Sequence, residues 1–339
     1  MTNDTSVDAP ETTSWQPDVL GAGFEQTTLP LGPDPDGEGE IAATLIRYTP
    51  EPAVPATGAV LYVHGFTDYF FQVHLAEHMA ALGYRFYALD LRKCGRSTRA
   101  GQSPHFVRDL AVYDAELDRA LEIVRAETGL PVLMMGHSTG GLVTALWLDR
   151  IERAAKGGVA ARDISGVVFN SPWLDLQGPS WVRGIGTTVI NTVGLVRPKQ
   201  LYPAGLVTSY GDSLHSSRFG EWDYNLDWKP LTGFPVRLGW LRAIRQGHAT
   251  VHRGLRIGVP ALVLRGTRSA APKEYGPIAD EADCVLDVRQ IQRWSGCFGD
   301  RTAVVPVPGA RHDVFLSVPE VRAQAFAEMD AWLNAHAAR

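Results

Sequence analysis

The chain has 339 residues, 45% of them hydrophobic, enough for one large domain or two smaller ones around a substantial core. Its 32 basic and 37 acidic residues leave a formal net charge of -5 and lie scattered, which excludes the basic block of a nucleic-acid partner or of a protein drawn to anionic membranes. Cys94, Cys284 and Cys297 are odd in number and lack zinc-ligand spacing, so neither a disulfide framework nor a structural metal is indicated, and a reducing, cytoplasmic setting is expected.

Residues 1–20 open acidic and polar, without the basic start and apolar core of a secretory signal, and are expected to form a flexible tail. Phe24–Leu29 and Ile41–Tyr48 flank the turn-rich Gly32–Gly37 and predict an antiparallel hairpin. The continuous run Ala59–Val63, a helical pattern from about Gln72 to Leu82 and the run Tyr84–Asp90 then read as strand, helix, strand of a parallel sheet. The alternation continues through a helix near Leu110–Glu127, a strand ending before Ser138, a helix to about Ala155, strands at Ser165–Asn170, Pro260–Arg265 and Thr302–Val307, and a last helix from Pro319 to about Ala337. Such repetition predicts an α/β fold, a doubly wound, mostly parallel sheet with helices on both faces.

The pattern breaks between Ser171 and about Arg256. Five of the nine tryptophans (Trp173, Trp181, Trp222, Trp228 and Trp240) gather there with Tyr202, Tyr210 and Tyr224, to pack an excursion, to line a pocket, or both. The expected organisation is therefore a core of residues 21–171 and 257–339 interrupted by an inserted cap, 172–256. Its most apolar stretch, Val182–Pro198, contains Arg183, Asn191 and Arg197, so a cap helix is expected and stable membrane insertion is not.

Gly136-His137-Ser138-Thr139-Gly140 lies between the apolar run Pro131–Met135 and the helical Leu142–Leu148. A serine held on a sharp strand-to-helix turn presents its Oγ clear of the backbone, and small residues two places either side let strand and helix cross. Ser138 needs a base, and the base needs an acid to fix its tautomer. Of ten histidines, His312 is best placed, after the last apolar strand and the turn Pro308–Arg311. His137, beside the serine, is expected to point away from it. Backbone N–H groups of Thr139, at a helix start, and of Phe66, after His64-Gly65, are candidates to hold a developing oxyanion.

Together His64-Gly65-Phe66, the segment Asp90–Ser97, Gly136–Gly141 and Gly309–Asp313 resemble the α/β-hydrolase superfamily, most closely its monoacylglycerol lipase and lysophospholipase-like serine hydrolases. The resemblance implies an oxyanion donor at Phe66, a nucleophile at Ser138 and a base at His312. In the second motif Lys93 and Cys94 replace the first glycine and the residue after it, a change expected at the loop and its surface rather than in the chemistry. Where the family places its acid, this chain reads Gly266–Ala271 without a carboxylate. Asp283-Cys284-Val285-Leu286-Asp287 resembles the family's D-x-V-x-D stretch, which implies Asp283 after an insertion, with Asp280 and Asp287 as alternatives and Asp313 as a structural loop residue.

The function expected is a serine hydrolase that cleaves small-molecule carboxylic esters with an apolar acyl or aromatic part through an acyl-enzyme, without cofactor or metal. Two alternatives remain: an aminopeptidase on the same fold, its substrate amine held by Glu221, Asp223 or Asp227, and a ligand-binding protein without turnover. Oligomeric state is not legible.

Overall fold

The computed structural model describes residues 13–336 except 54, 155–156, 179 and 204–206, and only the backbone of 180–183 and 185. In chain order the strands are β1 (Gln16–Pro17), β2 (Phe24–Pro33), β3 (Glu40–Tyr48), β4 (Gly58–Val63), β5 (Tyr84–Asp90), β6 (Val132–His137), β7 (Ile164–Asn170), β8 (Ala261–Gly266) and β9 (Thr302–Val307). The helices are α1 (Val73–Ala81), α2 (Asp114–Thr128), α3 (Thr139–Ala154), α4 (Ser180–Val196), α5 (Ser209–Leu214), α6 (Leu238–Val251), α7 (Ile278–Glu281), α8 (Val288–Trp294) and α9 (Pro319–His336).

All nine strands form one sheet in the order β1-β2-β3-β5-β4-β6-β7-β8-β9. The six strands from β5 to β9 run parallel, and β1, β2 and β3 add an antiparallel edge. Period-two alternation assigns the faces: Ala59, Leu61 and Val63 of β4 join one core, and Val60 and Tyr62 join the other. Helices α2, α3, α6 and α8 cover the first face, and α1 and α9 cover the second. Both faces are thus buried, which is why the parallel strands read as unbroken apolar runs.

Turn chemistry ends the elements where the sheet needs them to end. Gly129 takes φ +64° to close α2, and the Asp287 carboxylate accepts from the Arg289 N–H to start α8. Residues 171–260 intervene between β7 and β8 and carry α4, α5 and α6; α4 packs along α6. Among the described residues no helix is long and apolar enough to cross a membrane.

The expected tail needs correction at its C-terminal end. Gln16 and Pro17 pair with β2, and Asp18 is buried, its carboxylate accepting from Arg96 Nε and Nη2 at 2.6 and 2.8 Å. A buried guanidinium needs a carboxylate, and Arg96 recruits one from 78 residues upstream. Residues 1–12 lie outside the described part. A second correction concerns Lys93, which is fully buried. Its Nζ lies 2.6 Å from Asp34 Oδ2 and 3.0 Å from Glu38 Oε2 and donates to the Phe106 carbonyl at 3.0 Å. Lys93 has φ +60°, a backbone conformation that glycine adopts freely, so the glycine of the related motif and this lysine meet the same turn. Cys94 is also buried, its thiol 3.1 Å from His105 Nδ1.

Candidate active site

The carboxyl ends of β4, β6, β7, β8 and β9 lie side by side, and the candidate groups converge there. Ser138 follows β6 directly with φ +52°. Its own hydrogen bonds hold it in that strained region: the Ser138 N–H donates to the Asn170 carbonyl at 2.9 Å, and its carbonyl accepts from the Leu142 and Trp173 N–H groups at 3.2 and 3.0 Å. The glycines are dictated by contact. A Cβ on Gly140 would overlap the His64 carbonyl oxygen, one on Gly136 would stand 2.8 Å from the Gly141 Cα, and one on Gly65 3.0 Å from Ser138 Cβ. Strand and helix start approach too closely for a side chain at Gly136 or Gly140, and a Cβ on Gly65 would press against Ser138.

His312 sits in the loop after β9 and is 3% exposed. Its Nδ1 lies 2.9 Å from Asp283 Oδ2. A carboxylate only accepts, so Nδ1 carries a proton, and in the neutral imidazole the lone pair is on Nε2. Asp283 is completely buried, and its other oxygen accepts from the Val285 and Leu286 N–H groups at 2.8 and 2.7 Å. The chain leaves β8 at Gly266, makes an excursion through α7, and returns so that Asp283 pairs with Ser269 in a β-bridge. That detour sets Asp283 back beside the chain just beyond β8.

The two alternative acids are occupied elsewhere. Asp280 accepts from Arg311 Nη2 at 2.5 Å and from the Tyr275 hydroxyl at 2.8 Å, and Asp287 caps α8. Asp313 braces the loop: its Oδ1 accepts from Asn170 Nδ2 at 2.6 Å and from the Phe315 N–H at 3.0 Å, while Oδ2 accepts from Gln72 Nε2 at 3.2 Å. Sequence reading passed over Asn170 and Gln72, whose only signal is a polar residue at each of two apolar element ends.

Ser138, His312, Phe66 and Thr139 all line one cavity of about 430 Å³. Thr139 opens α3, where the N–H has no partner within the helix. The Phe66 ring stacks on Trp240 of α6 with centroids 4.2 Å apart. Aromatic residues after β7 divide: Trp173, Tyr210, Tyr224 and Trp240 line the cavity, whereas Trp222 stacks on His74 and Trp228 packs edge-on against Tyr69. The Trp181 side chain lies outside the described residues, and Tyr202 is exposed. His137 does not turn out of the site. It lines the same cavity with its ring 4.8 Å from that of His312, and burial pulls its pKa down, so it is a neutral neighbour that puts no positive charge beside His312.

The cavity walls carry Lys229 but no carboxylate among the described residues. Lys229 is itself paired, its Nζ 2.7 Å from buried Asp68. Burial alone would raise the Asp68 carboxyl, but the charge and the hydrogen bond of the Lys229 ammonium oppose it, and the group lies below its ordinary range.

The Hydrolase_4 family model, described as serine aminopeptidase, S33, matches residues 54–271, well over half of the chain. The chain belongs to this hydrolase family. The Hydrolase_4 match takes in Ser138 and the His64–Phe66 loop and stops at residue 271, inside the detour that returns Asp283. Phospholipase YtpA of Bacillus subtilis is 32% identical over 120 residues, 35% of this chain and 41% of that protein, so the alignment spans less than half of the relative. In fold, this Hydrolase_4 chain is similar to a soluble variant of monoglyceride lipase from Saccharomyces cerevisiae in complex with a substrate analog, with TM-score 0.63 and 18% identity over 97% of this chain and 96% of that one. It is also similar to the monoacylglycerol lipase of Paleococcus ferrophilus, with TM-score 0.59 and 20% identity over 84% and 96%. A thermostable carboxyl esterase from Bacillus coagulans gives 0.62 and 15% over 92% and 98%. What these neighbours share with the Hydrolase_4 chain is the α/β-hydrolase architecture.

Proposed function

We propose that the chain is a serine hydrolase of carboxylic esters with a substantial apolar part, in which residues 172–256 form a cap over the site. His312 Nε2 takes the Ser138 hydroxyl proton as Oγ attacks the ester carbonyl. Asp283 steadies the resulting imidazolium, and the Phe66 and Thr139 N–H groups receive the oxyanion. Collapse of the tetrahedral intermediate expels the alcohol, which takes the proton from His312, and leaves an acyl group on Ser138. Water activated by His312 then releases the acid. The observation that carries this reading is the buried 2.9 Å pairing of His312 with Asp283 beside a cavity that also receives Ser138 on its left-handed turn.

The family's description as serine aminopeptidase, S33, makes an aminopeptidase the serious rival. A substrate ammonium taken into this cavity would lose its hydration without gaining a carboxylate, at a cost of several kcal/mol. The three acids offered for that role are elsewhere: Glu221 pairs with Arg322 at 2.8 Å, Asp223 is 95% exposed at its side chain, and Asp227 is exposed. The fold resemblance to monoacylglycerol lipases and a carboxyl esterase supports esters in the same direction. The test is a panel of aryl esters of rising acyl length set against amino-acid arylamides. Turnover of the esters, rising from acetyl to medium acyl chains and lost in Ser138→Ala, is the expected result; arylamide turnover exceeding ester turnover would overturn it.

A further inference from the structure

Thr67 follows the candidate oxyanion donor and has φ +52°, a conformation that a β-branched residue adopts only under constraint. The constraint comes from the segment between β7 and β8. Thr67 Oγ1 accepts from the Phe234 N–H at 2.9 Å, the Asp68 carboxylate holds Lys229 Nζ at 2.7 Å, and the Tyr69 hydroxyl accepts from the Asn225 N–H at 2.8 Å. Phe66 itself is stacked on Trp240. Four consecutive residues of the loop after β4 are therefore each fastened to residues 225–240, while the next, Phe70, is fastened to the core through the Asp90 carboxylate at 2.8 Å.

We propose that Lys229 and the Phe234 N–H, through Asp68 and Thr67, are positioning groups that set the Phe66 N–H, so that the oxyanion hole is complete only while residues 225–240 are docked. The inference rests on the ester-hydrolase reading above. Lys229 and Phe234 line the cavity, and each acts through the backbone that presents the Phe66 N–H. Because an oxyanion donor serves the transition state more than bound substrate, loosening this fastening lowers kcat and leaves KM nearly unchanged.

The experiment compares wild type with Thr67→Val, which keeps shape and removes the acceptor, and with Lys229→Met. Lys229→Met strands a buried carboxylate, so the double variant Asp68→Asn/Lys229→Met, with no charge left to bury, guards against simple misfolding. Each is assayed for ester turnover and for affinity toward an aryl trifluoromethyl ketone, which forms a tetrahedral oxyanion on a serine. The expected result is a fall in kcat of about 10- to 100-fold, less than the 10²- to 10³-fold typical of deleting a donor outright, with KM within about threefold and ketone affinity falling in step with kcat/KM. Unchanged kcat in an active, folded double variant, or a loss of kcat with ketone affinity intact, would overturn the proposal. Wild-type protein that turns over no ester and binds no ketone would instead overturn the reading beneath it.

Discussion

His312 and Asp283 are 29 residues apart in sequence and 2.9 Å apart in space, and their pairing separates three aspartates that composition alone leaves equivalent. If Asp283 orients His312, Asp283→Asn lowers kcat on the order of 10³- to 10⁴-fold, because the amide can favour the wrong tautomer. Asp280→Asn leaves kcat near wild type, and Asp287→Ala removes a helix cap for about 1 kcal/mol of stability. Steady-state kinetics and denaturant unfolding on the three variants check this; comparable loss of kcat in Asp280→Asn would reassign the acid. Asp283 was legible only through its likeness to a family motif, because the detour through α7 displaces it from the expected position after β8. Lys93 was not legible at all: a charged residue in a loop motif reads as surface, and the carboxylates that make its burial tolerable lie 59 and 55 residues upstream.

Elements were read more successfully than their anchors. Continuous apolar runs bounded by Gly, Pro and Asp located β4 to β9 to within a residue or two, since a parallel strand buried on both faces leaves little freedom in composition. The pair Gln16–Pro17 is too short to carry a period, and its place in the sheet comes from Asp18 meeting Arg96, a tertiary fact. The β2–β3 turn depends in the same way on Lys93, whose Nζ meets Asp34 and Glu38. Lys93→Met leaves both carboxylates buried without that cation, and chemical denaturation should show a loss of about 3 to 5 kcal/mol. Lys93→Gly, although free of the left-handed strain, should lose a similar amount; a neutral or stabilising Lys93→Gly would show that backbone strain outweighs the ion pairs. At the crossing of β4 with α3, Gly140→Ala forces a Cβ against the His64 carbonyl and should cost both stability and turnover.

The molecule as a whole carries buried histidines whose neutral form favours the fold, in full above about pH 6.5. Burial lowers His74 to about 4, and burial together with Arg245 lowers His248 to about 3, against 6.5 in an unfolded chain. Below pH 6.5 the unfolded chain takes up protons that the folded one refuses until pH 4 and below, so stability is full above 6.5 and falls with acidity. Burial would raise Glu38, but its bonds from Ser103, Lys199 and Lys93 hold it at about 2, so it adds a further loss between pH 4.5 and 2. Thermal unfolding across pH 8 to 4 should show Tm level above 7 and declining below 6.5; a flat Tm down to pH 4.5 would contradict this. Chemistry at the centre of the molecule admits a more direct test. Wild-type chain mixed with a p-nitrophenyl ester, quenched in acid during the first turnover and digested for peptide mass analysis, should carry one acyl group on the peptide containing Ser138, absent in Ser138→Ala. Ester turnover without an acyl group on Ser138, or undiminished in Ser138→Ala, would contradict the account.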